Sequence, residues 1–317
     1  MSPADGSLRR RPPRVQGLRA TVLHMLTGAT ARLAARGPVI VPEFDLHPRA
    51  RYGWDGHAPL SSLVDDLEAW AADHRDATVS TLLEVADWCG AVPMEAGASA
   101  AGWDNEYWGS LDAVWQVAEL RRRDPARYIE IGSGYSTPFA RRAIESFSVR
   151  TRITSIDPVP RLEVDAACDE VLRCGLEEAD LELFEQLEAG DIVVVDGSHV
   201  VAMNSDSVVL FLEVLPALRS GVLVGIDDVY LPWDYHPTWA ERWYGEQYLL
   251  AAYLLGGGGG DRIIFPGWVM ARALADEPRL DALWRSIENR FGRLASSFWF
   301  ERDTVSATDP SAVPLLQ

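Results

Sequence analysis

From residue 126 onward the chain alternates between short apolar runs and longer segments with an apolar residue every three or four positions. The runs predict strands at 128–131, 152–156, 170–174, 191–195, 221–226, 262–265 and 297–301. The periodic segments predict helices at 138–146, 161–167, 181–189, 208–218, 244–255 and 280–290. Such alternation marks an α/β protein with a doubly wound, Rossmann-like sheet, here of seven strands. Before it the pattern is helical. Leu18, Val22, Leu23, Met25, Leu26 and Leu33 suit an amphipathic helix over 17–36, which Gly37-Pro38 ends. Further helices are expected at 59–74, 77–90 and 112–123, with an irregular stretch at 91–110. Residues 1–16 are small, Pro-rich and basic and read as a disordered tail. The expected organisation is therefore a tail at 1–16, an N-terminal helical cap at 17–110 and the α/β domain at 111–317. The five glycines at 256–260 make a flexible link before the sixth strand.

Composition narrows the chemistry. Twenty-nine basic residues face 47 acidic ones, for a net charge of −18, and all 29 are arginine. A chain without lysine has no lysine base and no Schiff base. So acidic a surface opposes nucleic acid and anionic membranes, so a small-molecule substrate is expected. The three cysteines have no metal-knuckle spacing. No run of 18 apolar residues exists, and no apolar run follows the basic N-terminus, so the expectation is a cytoplasmic enzyme. The aliphatic faces of the N-terminal helices make a homodimer the expected assembly, if the chain associates at all.

The chemistry concentrates at the ends of the predicted strands. Tyr128-Ile-Glu-Ile-Gly-Ser-Gly-Tyr-Ser-Thr137 reads as a buried strand, a glycine turn and a helix start. Gly132 and Gly134 permit a tight turn and a close ligand approach, and Ser133 and Ser136 can cap the helix. The third glycine of a dinucleotide fingerprint is replaced by Thr137, which argues against an NAD enzyme. The second strand ends in Asp157-Pro158. An acid there can accept both ribose hydroxyls of an adenosine cofactor, although Asp-Pro also reads as an ordinary strand-end turn. The fourth strand ends Asp196-Gly-Ser-His199 and the fifth ends Asp227-Asp228. Carboxylates converging at one sheet edge raise one another's pKa, and a hard divalent cation relieves that repulsion. His199 reads either as a base of near-neutral pKa or as a residue that caps the turn. His236 is a weaker base candidate, and Trp233, Tyr235, Trp239, Trp243 and Tyr244 form an aromatic wall beside the fifth strand.

Glu130, Gly132 and Gly134 together resemble the first motif of class I S-adenosylmethionine-dependent methyltransferases. The strand-end acids are similar to those of catechol O-methyltransferase-like enzymes and of macrolide-sugar O-methyltransferases. The resemblance covers roughly residues 103–303 and points to a bacterial group found with natural-product genes. It implies a sheet whose last pair includes one antiparallel strand. It implies S-adenosyl-L-methionine held by Glu130, Gly132, Gly134, Ser136, Asp157 and Asp196. It also implies magnesium, or another divalent cation, on Asp196, Asp227 and Asp228. The catechol enzymes carry an Asp-Asn pair where this chain has Asp227-Asp228, and a lysine base where it has His199. The expected reaction is O-methylation of a small hydroxylated metabolite with His199 as base. Trp103, Asn105 and Tyr107, ahead of the first strand, are candidates to cover the methionine part of the cofactor. Metal-independent N-methylation and a non-catalytic cofactor-binding protein on the same fold remain the alternatives.

Overall fold

The computed structural model describes residues 48–95, 100–287 and 293–303. The tail at 1–16 and the helix at 17–36 lie outside the described residues. Seven strands form one sheet: β1 (Arg127–Ile131), β2 (Arg152–Ile156), β3 (Glu170–Leu172), β4 (Ile192–Val195), β5 (Leu223–Ile226), β6 (Arg262–Pro266) and β7 (Phe298–Glu301). Their order is β3-β2-β1-β4-β5-β7-β6. β1 to β5 pair in parallel, and β7 runs antiparallel to both β5 and β6. This is the seven-stranded, Rossmann-like arrangement expected from the sequence, including the antiparallel strand in the last pair.

The helices are α1 (Ser61–Leu83), α2 (Ala86–Gly90), α3 (Ser110–Arg123), α4 (Ser136–Phe147), α5 (Glu182–Glu185), α6 (Asp206–Val209), α7 (Leu215–Ala217), α8 (Glu246–Leu255), α9 (Gly267–Ala273) and α10 (Asp281–Ser286). A π-helical stretch, Leu210–Val214, joins α6 to α7. Every residue of β4 and of β5 is buried, because helices cover both sheet faces. Each fully buried Val, Leu or Ile side chain there contributes about 1.5–3 kcal/mol. α1 packs on α3, α8 and α9, which fixes the segment before β1 against the sheet domain.

The structure departs from the expected elements where local pattern misleads. The helices expected at 59–74 and 77–90 are one long helix, α1, and a short one, α2. No Gly or Pro interrupts residues 61–83, and Leu63, Leu67, Ala71, Thr78, Val79 and Leu82 are all buried. The helix expected at 161–167 is a 3-10 turn, Asp165–Ala167, and that at 181–189 is the single turn α5. α3 is buried on every side from Ser110 to Leu120, polar residues included. Asp112 and Gln116 are satisfied by partners outside the helix. Asp112 accepts from the backbone N–H groups of Ser296 (2.9 Å) and Ser297 (3.0 Å). Gln116 donates to Tyr128 Oη (2.7 Å) and accepts from Trp108 Nε1 (3.0 Å). α3 thereby ties β1 and the approach to β7 together. No helix among the described residues is long and apolar enough to cross a membrane.

Candidate functional site

The site forms where the backbone ladder runs one residue past each strand. Gly132 N–H bonds Ile156 O (2.9 Å), Asp157 N–H bonds Leu172 O (3.0 Å), Asp196 N–H bonds Ile131 O (2.8 Å) and Asp227 N–H bonds Val195 O (2.8 Å). Gly132, Asp157, Asp196 and Asp227 therefore share one edge, the carboxyl end of the parallel strands, where ligands bind in open α/β sheets. A cavity of about 350 Å³ opens there, within the range of small-ligand sites. Gly132, Gly134, Asp157 and Asp196 line it, as do Tyr107, Tyr135, Arg161, Glu177 and Asp206.

Gly132 has φ +77°, and a β-carbon there would overlap the carbonyl of Asp196. Only glycine fits the turn. Asp157 holds the turn from the other side. Its Oδ2 accepts from Ser133 N–H (2.7 Å) and its Oδ1 from Val159 N–H (2.8 Å). Glu130 and Ser136 are placed differently from the other expected cofactor residues: neither lines the cavity. Glu130 is fully buried beneath the turn, where Thr137 Oγ1 and Tyr128 Oη (3.2 Å) donate to it. Thr137 Oγ1 in turn accepts from Gly134 N–H (3.3 Å). Burial pushes the Glu130 carboxyl up to about 7. Glu130 thus braces the turn from below.

Of the three candidates to cover the cofactor, Tyr107 reaches the cavity. Its ring stacks on Tyr135 (5.1 Å, 12°), and Arg161 lies over it at 5.2 Å. Trp103 is buried against Phe139, and Asn105 accepts from Trp108 N–H (2.7 Å) just ahead of α3.

His199 is 1% exposed and lies among carboxylates. Its Nδ1 is 2.9 Å from Glu246 Oε2, and its Nε2 is 3.2 Å from Asp196 Oδ1 and 3.5 Å from Asp228 Oδ2. Burial alone would lower its pKa. The hydrogen bonds to Asp196 and Glu246 and the charges of Glu246 and Asp228 prevail, holding the imidazole well above 6.5. Asp227 is pushed well above the carboxylate range by burial and by the charges of Asp228, Asp196 and Asp112. Burial raises Asp228 to about 6, against the pull of His199.

Asp196, Asp227 and Asp228 thus come to one place, but not as a ready ligand set. Asp196 and Asp228 turn to His199 Nε2, while Asp227 Oδ1 accepts from Ser296 Oγ (3.1 Å). Among the described residues no three of His, Cys, Asp and Glu stand in a geometry that could hold a metal ion. The oxygen donors have the chemistry a hard cation needs. In this arrangement the His199 imidazole supplies the countercharge to Asp196 and Asp228.

The aromatic wall stands beside His199. Tyr244 lies 4.8 Å from the imidazole, Trp239 5.8 Å from Tyr244 and Tyr230 5.5 Å from Trp239. The Arg242 guanidinium covers Trp239 at 4.1 Å. His236 has other partners: its Nδ1 is 2.7 Å from Thr238 Oγ1 and its ring lies 4.8 Å from Trp54. Glu246, to which sequence reasoning assigned no role, is the residue that meets His199 Nδ1. Its one signal is an acid in the first turn of a helix that is otherwise largely apolar.

Residues 129–229 match a family model described as a methyltransferase domain, from β1 to just past Asp228. The matched segment holds β1 from Ile129 onward and all of β2 to β5. No curated protein matches the chain. Among solved structures it is similar to the MycE methyltransferase of the mycinamycin biosynthetic pathway, in complex with Mg and SAH. There the identity is 24%, over 43% of this chain and 37% of that one, with a TM-score of 0.29. The match therefore spans 37% of that enzyme's length. It is also similar to the SAH-bound Podospora anserina methyltransferase PaMTH1 (17% identity, 72% and 93% covered, TM-score 0.34). An O-methyltransferase from Bacillus cereus in complex with SAH shows 15% identity, 74% and 96% coverage and a TM-score of 0.35.

Proposed function

We propose that this chain, whose residues 129–229 match a methyltransferase-domain family model, moves a methyl group from S-adenosylmethionine to a hydroxyl of a small acceptor. One observation carries the reading: Asp196 lines the cavity and also sits 3.2 Å from His199 Nε2. Cofactor pocket and base share a wall.

The cavity suits this cofactor. Four acids line it, Asp157, Glu177, Asp196 and Asp206, against one cation, Arg161. That balance favours a positively charged ligand such as a sulfonium. A β-carbon on Gly134 would meet only open space, so its backbone is free for close approach. When bound, the cofactor supplies an electrophilic methyl group. Asp157 retains lone pairs for the ribose hydroxyls, and the turn at Gly132–Gly134 with the start of α4 receives the amino-acid part. Tyr107 and Tyr135 shield one side of the cavity. Tyr230, Trp239 and Tyr244 hold the acceptor ring against His199. The acceptor hydroxyl gives its proton to Nε2 as its oxygen bonds the methyl carbon. The bound cofactor would supply that methyl, its sulfur keeping the pair of the carbon–sulfur bond. The protein contributes orientation and a base.

A second reading adds a divalent cation on Asp196, Asp227 and Asp228. Burial raises both Asp227 and Asp228, and the charge of Asp196 adds to each; a cation would offset that cost. The chain's own arrangement does not require it, and the steps above run without it.

Calorimetric titration with S-adenosylhomocysteine tests the first reading. Micromolar binding that weakens in Asp157→Ala supports it. No binding to the folded chain sinks it.

A further inference from the structure

We propose that Glu246 is a positioning residue: it sets which nitrogen of His199 faces the acceptor, and couples that orientation to the seating of the aromatic segment 230–245. The proposal rests on the reading of His199 as the base. The Glu246 side chain is 1% exposed, and its Oε2 stands 2.9 Å from Nδ1. A buried carboxylate is costly to desolvate unless a donor meets it. As a carboxylate it only accepts, so Nδ1 must carry the proton between them, and Nε2 is left to the strand-end edge. The same logic orients metal-bound and catalytic imidazoles through an outer carboxylate.

The contact is one of several that join the two segments. The carbonyl of His199 accepts from Gly245 N–H (2.7 Å) and Glu246 N–H (3.2 Å). Val200 and Tyr244 form an antiparallel bridge. The Tyr244 ring lies 4.8 Å from the imidazole. His199 itself has φ +57°, a conformation that a non-glycine residue adopts only when its surroundings impose it. Backbone and side chain of 199–200 are thus gripped by 244–246, where the aromatic segment ends and α8 begins. An acceptor that presses on Tyr244 or Trp239 acts on the same grip that aims the base.

The test uses the full chain, with methyl-transfer kinetics and NMR of ¹⁵N-histidine-labelled protein. His199 signals are assigned by their loss in His199→Asn. In Glu246→Ala we expect kcat to fall about 100-fold, with acceptor KM and S-adenosylhomocysteine affinity kept within about threefold. The slowly exchanging Nδ1 proton of His199 should vanish with it. Glu246→Gln keeps an accepting oxygen and should lose less of both, and it serves if the alanine variant does not fold. The proposal is overturned if kcat in the variants stays near wild type, or if the loss falls on KM while the Nδ1 proton persists. The two readings separate cleanly: no methyl transfer by wild type sinks the methyltransferase assignment, whereas an unmoved Nδ1 proton sinks the positioning role.

Discussion

The backbone of Gly132 runs so close to that of Asp196 that a β-carbon on Gly132 would overlap the Asp196 carbonyl oxygen. The first motif and the fourth strand's acid are therefore one packed unit. Gly132→Ala must adopt a positive φ and push the two strand ends apart. The backbone conformation alone costs about 1–2 kcal/mol, before the clash. We expect a clear drop in melting temperature and loss of S-adenosylhomocysteine binding. Gly134→Ala, whose β-carbon would meet no protein atom, should leave the melting temperature nearly unchanged. Melting and titration of the two variants side by side check the contrast, and equal stability would show that the turn is looser than described.

Asp157 joins the turn to the end of β2 through Ser133 N–H. Asp157→Ala removes that link and the acceptors for the ribose. Affinity for S-adenosylhomocysteine should weaken by about 10- to 100-fold, a loss of about 1.4–2.8 kcal/mol. Calorimetry reads it directly. Unchanged affinity would leave Asp157 an ordinary turn residue.

Glu130 makes stability depend on pH in a definite direction. Its carboxyl is raised from 4.5 to about 7 in the folded chain, chiefly by burial. A group raised on folding contributes its full stability below its unfolded value, and loses it as pH climbs through the folded one. The contribution should thus fade between about pH 4.5 and about pH 7, by about 3 kcal/mol at most. Glu130→Gln has no proton to lose. Denaturant unfolding at pH 5 and at pH 8 should show the variant gaining on wild type at the higher pH. An identical difference at both pH values would mean that Glu130 titrates normally.

The strand cores were plain in the sequence because a parallel sheet covered on both faces is written as unbroken Val and Ile, as in 192–195. Gly132, Asp157, Asp196 and Asp227 were legible because each directly follows the last residue of a strand, and Asp228 comes next after Asp227. What the sequence hid depends on long-range partners. Glu130 reads as a cofactor ligand until Thr137 and Tyr128 are seen to enclose it. Glu246 lies 47 residues from His199, and no local pattern joins them. Asp112 opens the helix expected at 112–123, and nothing local shows that it is buried against Ser296 and Ser297, more than 180 residues on. The break expected between 74 and 77 is absent, because the buried face of α1 runs on past Arg75-Asp76 through Thr78, Val79 and Leu82.

His199 and the strand-end acids give the last prediction. The base must enter with Nε2 unprotonated, and its neighbours hold the imidazole well above 6.5. Activity should therefore rise with pH through an inflection above 6.5, and vanish in His199→Ala. If a divalent cation binds Asp196 and Asp228, it draws both carboxylates off Nε2 and lowers the imidazole's pKa. Added magnesium should then move the inflection to lower pH, and Asp228→Asn should abolish that movement. EDTA should return the profile to its metal-free position. An inflection indifferent to magnesium and to EDTA would leave His199 working on the carboxylates' terms alone, and the second reading would fall while the first stood.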